Sequence, residues 1–335
     1  MPTIKDVART SGVSVATVSN YLNNRSVREE NEQAIKEAIQ KLDYRVDTFA
    51  RSFRTKKTCT VGVVVNTFYS LFYMELLHEM EKYFKTNGYC MIVYCSDNNC
   101  DIEREIVQNL IDKYVDAIIL FPVSYKNSRI DDLVQDKIPV ILVDRVIKNT
   151  LYPSVTADNI SASYHATEYL IQNGHTNIAL ITGHMDASTA NERVTGFCQA
   201  LTDYGIADTQ NNIFTGDYTK DSGYASAKAA LERSFSALYV LSLDLLLGVM
   251  DALRDSHVNV PNDISLVTFD HSEYLDLAEN KITVIRQPNR EIGIEAAKRA
   301  LESIAGKDEC QPLIRLRCEL IIRDSVAQNR MKTIG

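Results

Sequence analysis

The stretch VSVATVSNYLNN, Val13 to Asn24, contains no acid and no base. It is rich instead in short side chains that can reach the edges of base pairs. Asn20 offers one donor and one acceptor, which match N6 and N7 of adenine. Val15 and Ala16 are apolar and can touch thymine methyls. Thr17 and Ser19 add small polar groups that approach without clashing. The chemistry on offer is recognition of a DNA surface rather than bond making.

Other chemistries find less support. Cys90, Cys95 and Cys100 stand close together, but CMIVYC reads as a strand. A separation of five puts Cys90 and Cys95 on opposite faces of it. The spacing lacks the paired pattern of zinc sites, so reduced thiols in a cytoplasmic protein are expected, with no metal and no cofactor. After the first strand the chain reads VGVVVNTF, without a dinucleotide-binding glycine pattern. No phosphate-binding loop and no nucleophile elbow occurs, and His78–Glu79 lacks the second histidine of a zinc protease.

The elements that must present these groups follow from periodicity. Ile4, Val7 and Ala8 share a helical face, and that helix should stop at Gly12. Ser14 is placed to cap a second helix from Val15 to about Leu22, with Val18 and Leu22 turned inward. Ile35, Ala38, Ile39 and Leu42 line a third. Two helices joined by a short turn with a supporting helix behind make a helix-turn-helix, whose second helix enters the major groove. A plain three-helix bundle is the alternative. Against it, two β-branched residues with Ser and Asn make a poor helix surface unless that surface does something.

Charge divides the chain in the same place. Residues 1–57 hold eleven basic and seven acidic residues, net +4, within a chain of net −8. A basic head on an acidic body suits a polyanion-binding module fused to something else. Asp244 and Asp251 interrupt the longest apolar run, Ala237 to Leu253, so it reads as strand and helix rather than a membrane span. From Thr60 onward apolar strands alternate with helices, which implies parallel sheets covered on both faces. Two such sets imply two doubly wound lobes with a cleft beyond the carboxyl ends of the strands. The expected fold is therefore α/β behind a helical head.

TIKDVARTSGVSVATVSNYLN closely resembles the DNA-binding head of the lactose/galactose repressor family of bacterial transcription regulators. The likeness continues through IPVILVDR, NGHTNIALITG, NERVTGFCQAL, VPNDISLVTFD and ITVIRQPNREIGIEAAKRAL, and so covers essentially the whole chain. It implies a helix-turn-helix domain over 1–46, a hinge helix and linker over 47–58, and an effector-binding and dimerisation domain over 59–335. The body would have the fold of periplasmic sugar-binding proteins, with lobe 1 at about 59–156 and 286–312 and lobe 2 at about 157–285 and 313–326. The chain would cross between them near Ala157, Ile285 and Pro312.

The resemblance also implies partners and sites. Double-stranded operator DNA would be held by Thr3, Ser14, Val15, Ala16, Thr17, Ser19 and Asn20 and, in the hinge, by Arg51 and Phe53. Phe53 takes the place of a leucine that wedges into the minor groove, a role open to phenylalanine. A small-molecule effector, expected to be a sugar, would lie among Phe72, Tyr73, Asp144, Arg145, Arg193, Tyr218 and Asp270. Phe72 and Tyr73 would sit in the loop after the first strand. Duller roles are open to each: core or dimer contacts for Phe72 and Tyr73, a local pair for Asp144 and Arg145, a helix cap for Asp270. Leu243 stands where the family usually has Asn or Ser, which implies a more apolar pocket wall there. The implied protein is a homodimeric repressor with no enzyme activity and no membrane contact. A sugar receptor without a DNA role, or a sugar- or nucleotide-modifying α/β enzyme, is the alternative.

Overall fold

The computed structural model describes residues 2–22, 25–44, 57–126, 130–134, 138–206, 210–277, 281–307 and 312–329. The chain forms two compact units, Met1–Thr58 and Cys59–Gly335. Arg51 and Phe53 fall outside the described residues, so their roles rest on resemblance alone.

In the first unit, α1 spans Ile4–Ser11, α2 Val15–Leu22 and α3 Glu29–Leu42. Asp6 Oδ2 accepts from both Thr3 N (2.9 Å) and Thr3 Oγ1 (2.7 Å), closing the start of α1. Gly12 ends that helix at φ 69°, a left-handed conformation that costs glycine little. Two residues on, Ser14 Oγ accepts Thr17 N at 3.1 Å and so caps α2. Glu29, Glu30 and Glu32 occupy the first turn of α3, where carboxylates oppose the helix dipole favourably. Asp43 closes α3 at φ 44°. Val7, Ala8, Val18, Ile35 and Ala38 form the buried centre, with Leu22, Ile39 and Leu42 packed around it. The inward stripe expected from the sequence is thus the one the three helices share.

The second unit alternates strand and helix through most of its length. Its elements are β1 (Thr60–Val65), α4 (Leu71–Thr86), β2 (Cys90–Cys95), α5 (Cys100–Asp112), β3 (Ala117–Leu120), α6 (Asp131–Val134), β4 (Val140–Val143) and β5 (Ser154–Ala157). Then come α7 (Asn159–Gln172), β6 (Ile178–Thr182), α8 (Ser188–Asp203), β7 (Ile213–Thr215), α9 (Lys220–Leu231), β8 (Ala237–Val240), α10 (Leu243–Asp255) and β9 (Ser265–Phe269). The chain closes with β10 (Thr283–Arg286), α11 (Asn289–Ile304), β11 (Leu313–Leu316) and β12 (Glu319–Ile321). One six-stranded sheet runs β11-β5-β4-β3-β1-β2 and the other β12-β10-β9-β8-β6-β7. All pairs are parallel except β10 with β12. The central strands TVGVVV, AIIL, VILV and ALYV are buried along nearly their whole length, because helices cover both faces.

The last crossing differs from expectation. Leu313–Leu316 pairs with Ser154–Ala157 at the edge of the first sheet, so the chain changes lobe at Arg317 and Cys318 rather than near Pro312. A bare β5 edge offers unpaired backbone groups, and β11 satisfies them before the chain returns. Phe72 and Tyr73 also differ from expectation. They lie in the first turn of α4, not in a loop.

Candidate DNA-reading helix and effector cleft

On α2 exposure falls to one side of the helix. Val18 is fully buried, while Ser14, Val15 and Ala16 are exposed, Val15 at 42%. Thr17, Ser19 and Asn20 are half-buried along the flank. Thr17 Oγ1 lies 2.8 Å from Ser14 Oγ, so these two hydroxyls hold each other as well as the helix start. Thr3 is exposed with its hydroxyl engaged by Asp6.

In the second unit all seven expected effector residues line one cavity of about 350 Å³. Lobe 1 supplies Phe72, Tyr73, Asp144 and Arg145, and lobe 2 supplies Arg193, Tyr218 and Asp270. A larger cavity of about 690 Å³ adjoins it around the crossing strands, but only Phe72 and Asp270 of the seven line that one. The smaller cavity is the candidate site, because there the polar groups converge.

The two aspartates hold equivalent places. Asp144 is the first residue beyond β4 and Asp270 the first beyond β9, and both are left-handed, at φ 66° and 76°. Their amides donate to Val155 O and Ile285 O at 3.0 Å each. The turn is uncommon for a non-glycine residue, and it aims each carboxylate off a strand's carboxyl end into the cleft. Asp144 lies 3.7 Å from Arg145 Nε, a local ion pair too long for a hydrogen bond. Burial pushes the Asp144 carboxyl up to about 6, with Arg145 and Arg193 drawing it down. Asp270 accepts from Gln287 Nε2, and Ser272 Oγ takes the turn amide of Tyr274.

Arg193 is 4% exposed, and its guanidinium lies 3.6 Å from the centre of the Phe269 ring. Its Nε donates to Asn159 Oδ1 (2.9 Å) and its Nη1 to Leu241 O (2.7 Å), which leaves Nη2 for the cleft. The guanidinium of Arg145 reaches over the Tyr218 ring at 5.8 Å. Burial raises the hydroxyl pKa of both Tyr73 and Tyr218, so each remains a donor. Tyr73 also packs edge-on against Phe121 in the lobe 1 core, so core and cleft roles coincide in it.

Tyr218 lies flat over Gly183, where an added Cβ would come within 2.3 Å of the ring. Gly183→Ala should displace Tyr218. The response to effector should then need about tenfold more ligand, the worth of one good aromatic contact. A titration of operator affinity against ligand checks this, and an unchanged midpoint would remove Tyr218 from the site.

Sequence reasoning missed several lining residues, among them Asn66, Thr189, Asp244 and Gln287. Asp244 adds a carboxylate to a wall that Leu247 also lines. Leu243 lines only the larger cavity, whereas its neighbour Asp244 lines both. Burial, aided by Asp270, pushes the Asp244 carboxyl up to about 6. Ser242 Oγ accepts Leu245 N, starting α10 so that Asp244 faces the cleft. Gln287 Oε1 is buried without a hydrogen-bond partner among the described residues, and so is Arg145 Nε. One spare acceptor and one spare donor suit a polar ligand that supplies both.

The lobes also touch directly. Tyr125 N donates to Asp186 O (2.8 Å), Val146 N to Ser188 Oγ (2.9 Å), and Arg315 Nη2 lies 2.7 Å from Glu192 Oε1. A ligand contacting both lobes therefore acts on a joint that already closes.

Residues 58–324 match the model of periplasmic binding proteins and the sugar-binding domain of the LacI family, and residues 3–47 match bacterial regulatory proteins of the lacI family. The chain belongs to the LacI family. As a member it is a DNA-binding transcriptional repressor controlled by a small-molecule effector, and the relatives it matches are regulators rather than enzymes. This LacI-family chain is 34% identical over 300 residues to catabolite control protein A of Priestia megaterium, covering 88% of the chain and 90% of that protein. It is 29% identical to the repressor PurR of Vibrio campbellii over 97% of the chain and 99% of that protein. Among solved structures it is similar to a complex of the regulator CelR with cellobiose, at TM-score 0.75 and 26% identity, covering 97% of the chain and all of the other. No described helix is long and apolar enough to cross a membrane.

Proposed function

We propose that this LacI-family regulator represses carbohydrate-use genes as a homodimer and takes a sugar or sugar derivative as its effector. The observation that carries the effector class is the composition of the cleft. Tyr218 and Phe72 offer ring faces, Asp144, Asp244 and Asp270 offer acceptors, and Arg145 and Arg193 offer donors around one cavity. Apolar C–H faces of a pyranose stack on such rings, and vicinal hydroxyls fill paired acceptors and donors. The cellobiose complex of CelR supports the same class. A thermal-shift screen of sugars, sugar phosphates and nucleobases tests it. A ligand at a hundred times its Kd should stabilise the protein by about 2.7 kcal/mol. A response confined to nucleobases would replace the sugar reading, because a flat polar ring is the other ligand such a cleft accepts.

The same proposal covers operator choice. Many relatives carry arginine where this chain has Asn20, and arginine prefers guanine. Asn20, Val15 and Ala16 together favour an A·T-rich half-site, with the Asn20 contact worth roughly 1–3 kcal/mol of discrimination. Selection of random duplexes with wild type and Asn20→Arg should change one preferred base in each half-site, from A to G. An identical preference in both proteins would mean that Asn20 bonds a phosphate and reads no sequence.

A further inference from the structure

Beneath the cleft lies an acid that no motif singles out. Glu103 stands in the first turn of α5 and is 3% exposed. Its Oε2 accepts the amide N–H of Val123 at 2.8 Å. The carbonyls flanking that amide, Pro122 O and Val123 O, both face Arg145 Nη1 at 3.4 Å. Asn66, just past β1, ties the same parts together. In the amide orientation that satisfies both its polar atoms, it donates to Phe121 O (2.8 Å) and accepts from Arg145 Nη1 (3.2 Å). One end of the cleft arginine is therefore gripped by a segment that Glu103 anchors.

Electrostatics points the same way. A buried carboxylate needs a cation nearby, and among the described residues the charged group acting on Glu103 is Arg145. No charged partner on α5 itself acts on it. Arg145 in turn is flanked by Asp144, Tyr73 and Tyr218, all lining the cleft.

We propose that Glu103 is a positioning residue for the effector site, holding Arg145 through the Phe121–Val123 segment and tightening or relaxing that hold as it loses or gains a proton. This rests on the reading that the cleft binds a small-molecule effector. Burial pushes the Glu103 carboxyl up to about 7, while the Val123 amide and Arg145 draw it down, so the group titrates across neutrality. Ionised, it competes with ligand oxygens for the guanidinium. Protonated, it releases the guanidinium to them. Ligand binding is thus favoured on the acid side.

The test uses Glu103→Gln, which keeps an acceptor and the side-chain volume but removes the charge. The first arm needs no ligand. The ¹⁵Nε resonance of Arg145, assigned by its loss in Arg145→Lys, should show a step with a midpoint near pH 7 in the wild-type protein that is absent in Glu103→Gln, where only the step of its neighbour Asp144, near pH 6, remains. A resonance that ignores pH in the wild type, or titrates equally in both, overturns the proposal. The second arm uses cellobiose as probe. Its Kd should rise about threefold from pH 6 to pH 8 in the wild type, the factor for about half a pH unit of linkage. In Glu103→Gln the rise should be smaller, leaving only what the cleft acids Asp144 and Asp244 contribute from about pH 6, and equal pH dependence in the two proteins counts against the proposal. If cellobiose binds neither protein, that result bears on the effector class, and the Arg145 resonance decides the role of Glu103.

Discussion

Arg193→Ala is expected to abolish the response to effector while leaving operator binding intact. The guanidinium is buried, and two of its nitrogens are committed to Asn159 and Leu241 inside lobe 2. Those bonds and the Phe269 ring hold the remaining nitrogen in one place, so a ligand oxygen meets a donor that has no rotamer freedom left to lose. A hydrogen bond to a charged group contributes about 1.5–3 kcal/mol, so losing the one that the remaining nitrogen makes should weaken effector binding by about ten- to a hundredfold. The substitution also leaves Asn159 Oδ1 and Leu241 O without their donor and opens a gap beside Phe269. A separate loss of stability, about 2–4 kcal/mol, should appear in thermal unfolding. The two effects are separable. Operator affinity without ligand, measured where the variant is folded, should match the wild type. A variant that responds at the wild-type ligand concentration would show that Arg193 only braces lobe 2.

Breaking the apolar face shared by the two lobes should have a comparable effect on DNA binding. Leu71 and Met74 on α4, Leu247 and Met250 on α10, and Tyr274 and Leu277 in the turn after β9 are all exposed, between 37% and 82%. Leu71, Leu247 and Tyr274 meet around the larger cavity, so the patch spans both lobes rather than lying scattered. A patch of this kind marks a protein interface, and a second copy of the chain is its proposed occupant. Two heads on a palindromic operator bind together, which adds about a hundredfold or more to one head alone. Met74 and Met250 line neither cavity, so Met74→Glu with Met250→Glu should leave the cleft unchanged. Sedimentation should show a dimer for the wild type at micromolar concentration and half that mass for the double variant, with operator affinity lowered by the same hundredfold. A wild-type monomer, with and without DNA, would sink the dimer proposal.

Much of this molecule was legible in short windows of sequence. Gly12 and Ser14 mark helix ends because caps and left-handed turns are set by one residue and its immediate neighbours. Val18 and Ile35 fall on inward stripes because helical periodicity repeats within one or two turns. The apolar runs of β1, β3, β4 and β8 declare buried parallel strands for the same local reason. Resemblance then named seven cleft residues, and four of them, Asp144, Arg145, Arg193 and Asp270, stand within family-like motifs.

What the sequence could not decide rests on pairing between distant segments. Leu313 belongs to the first sheet because Ser154 lies beside it, and no window contains both residues. Asp244, rather than Leu243, lines the inner cleft because α10 starts at Ser242 and packs lobe 2 with one particular rotation about its axis. Gln287 matters because the crossing strand brings it to Asp270, seventeen residues away in sequence. Glu103 looks like one more surface acid of a polar helix until the segment after β3 folds over it and Arg145 closes the other side. Composition and periodicity determined the elements and the faces they bury. Only the tertiary fold determined which polar side chains lose water together, and that shared desolvation makes a site of them.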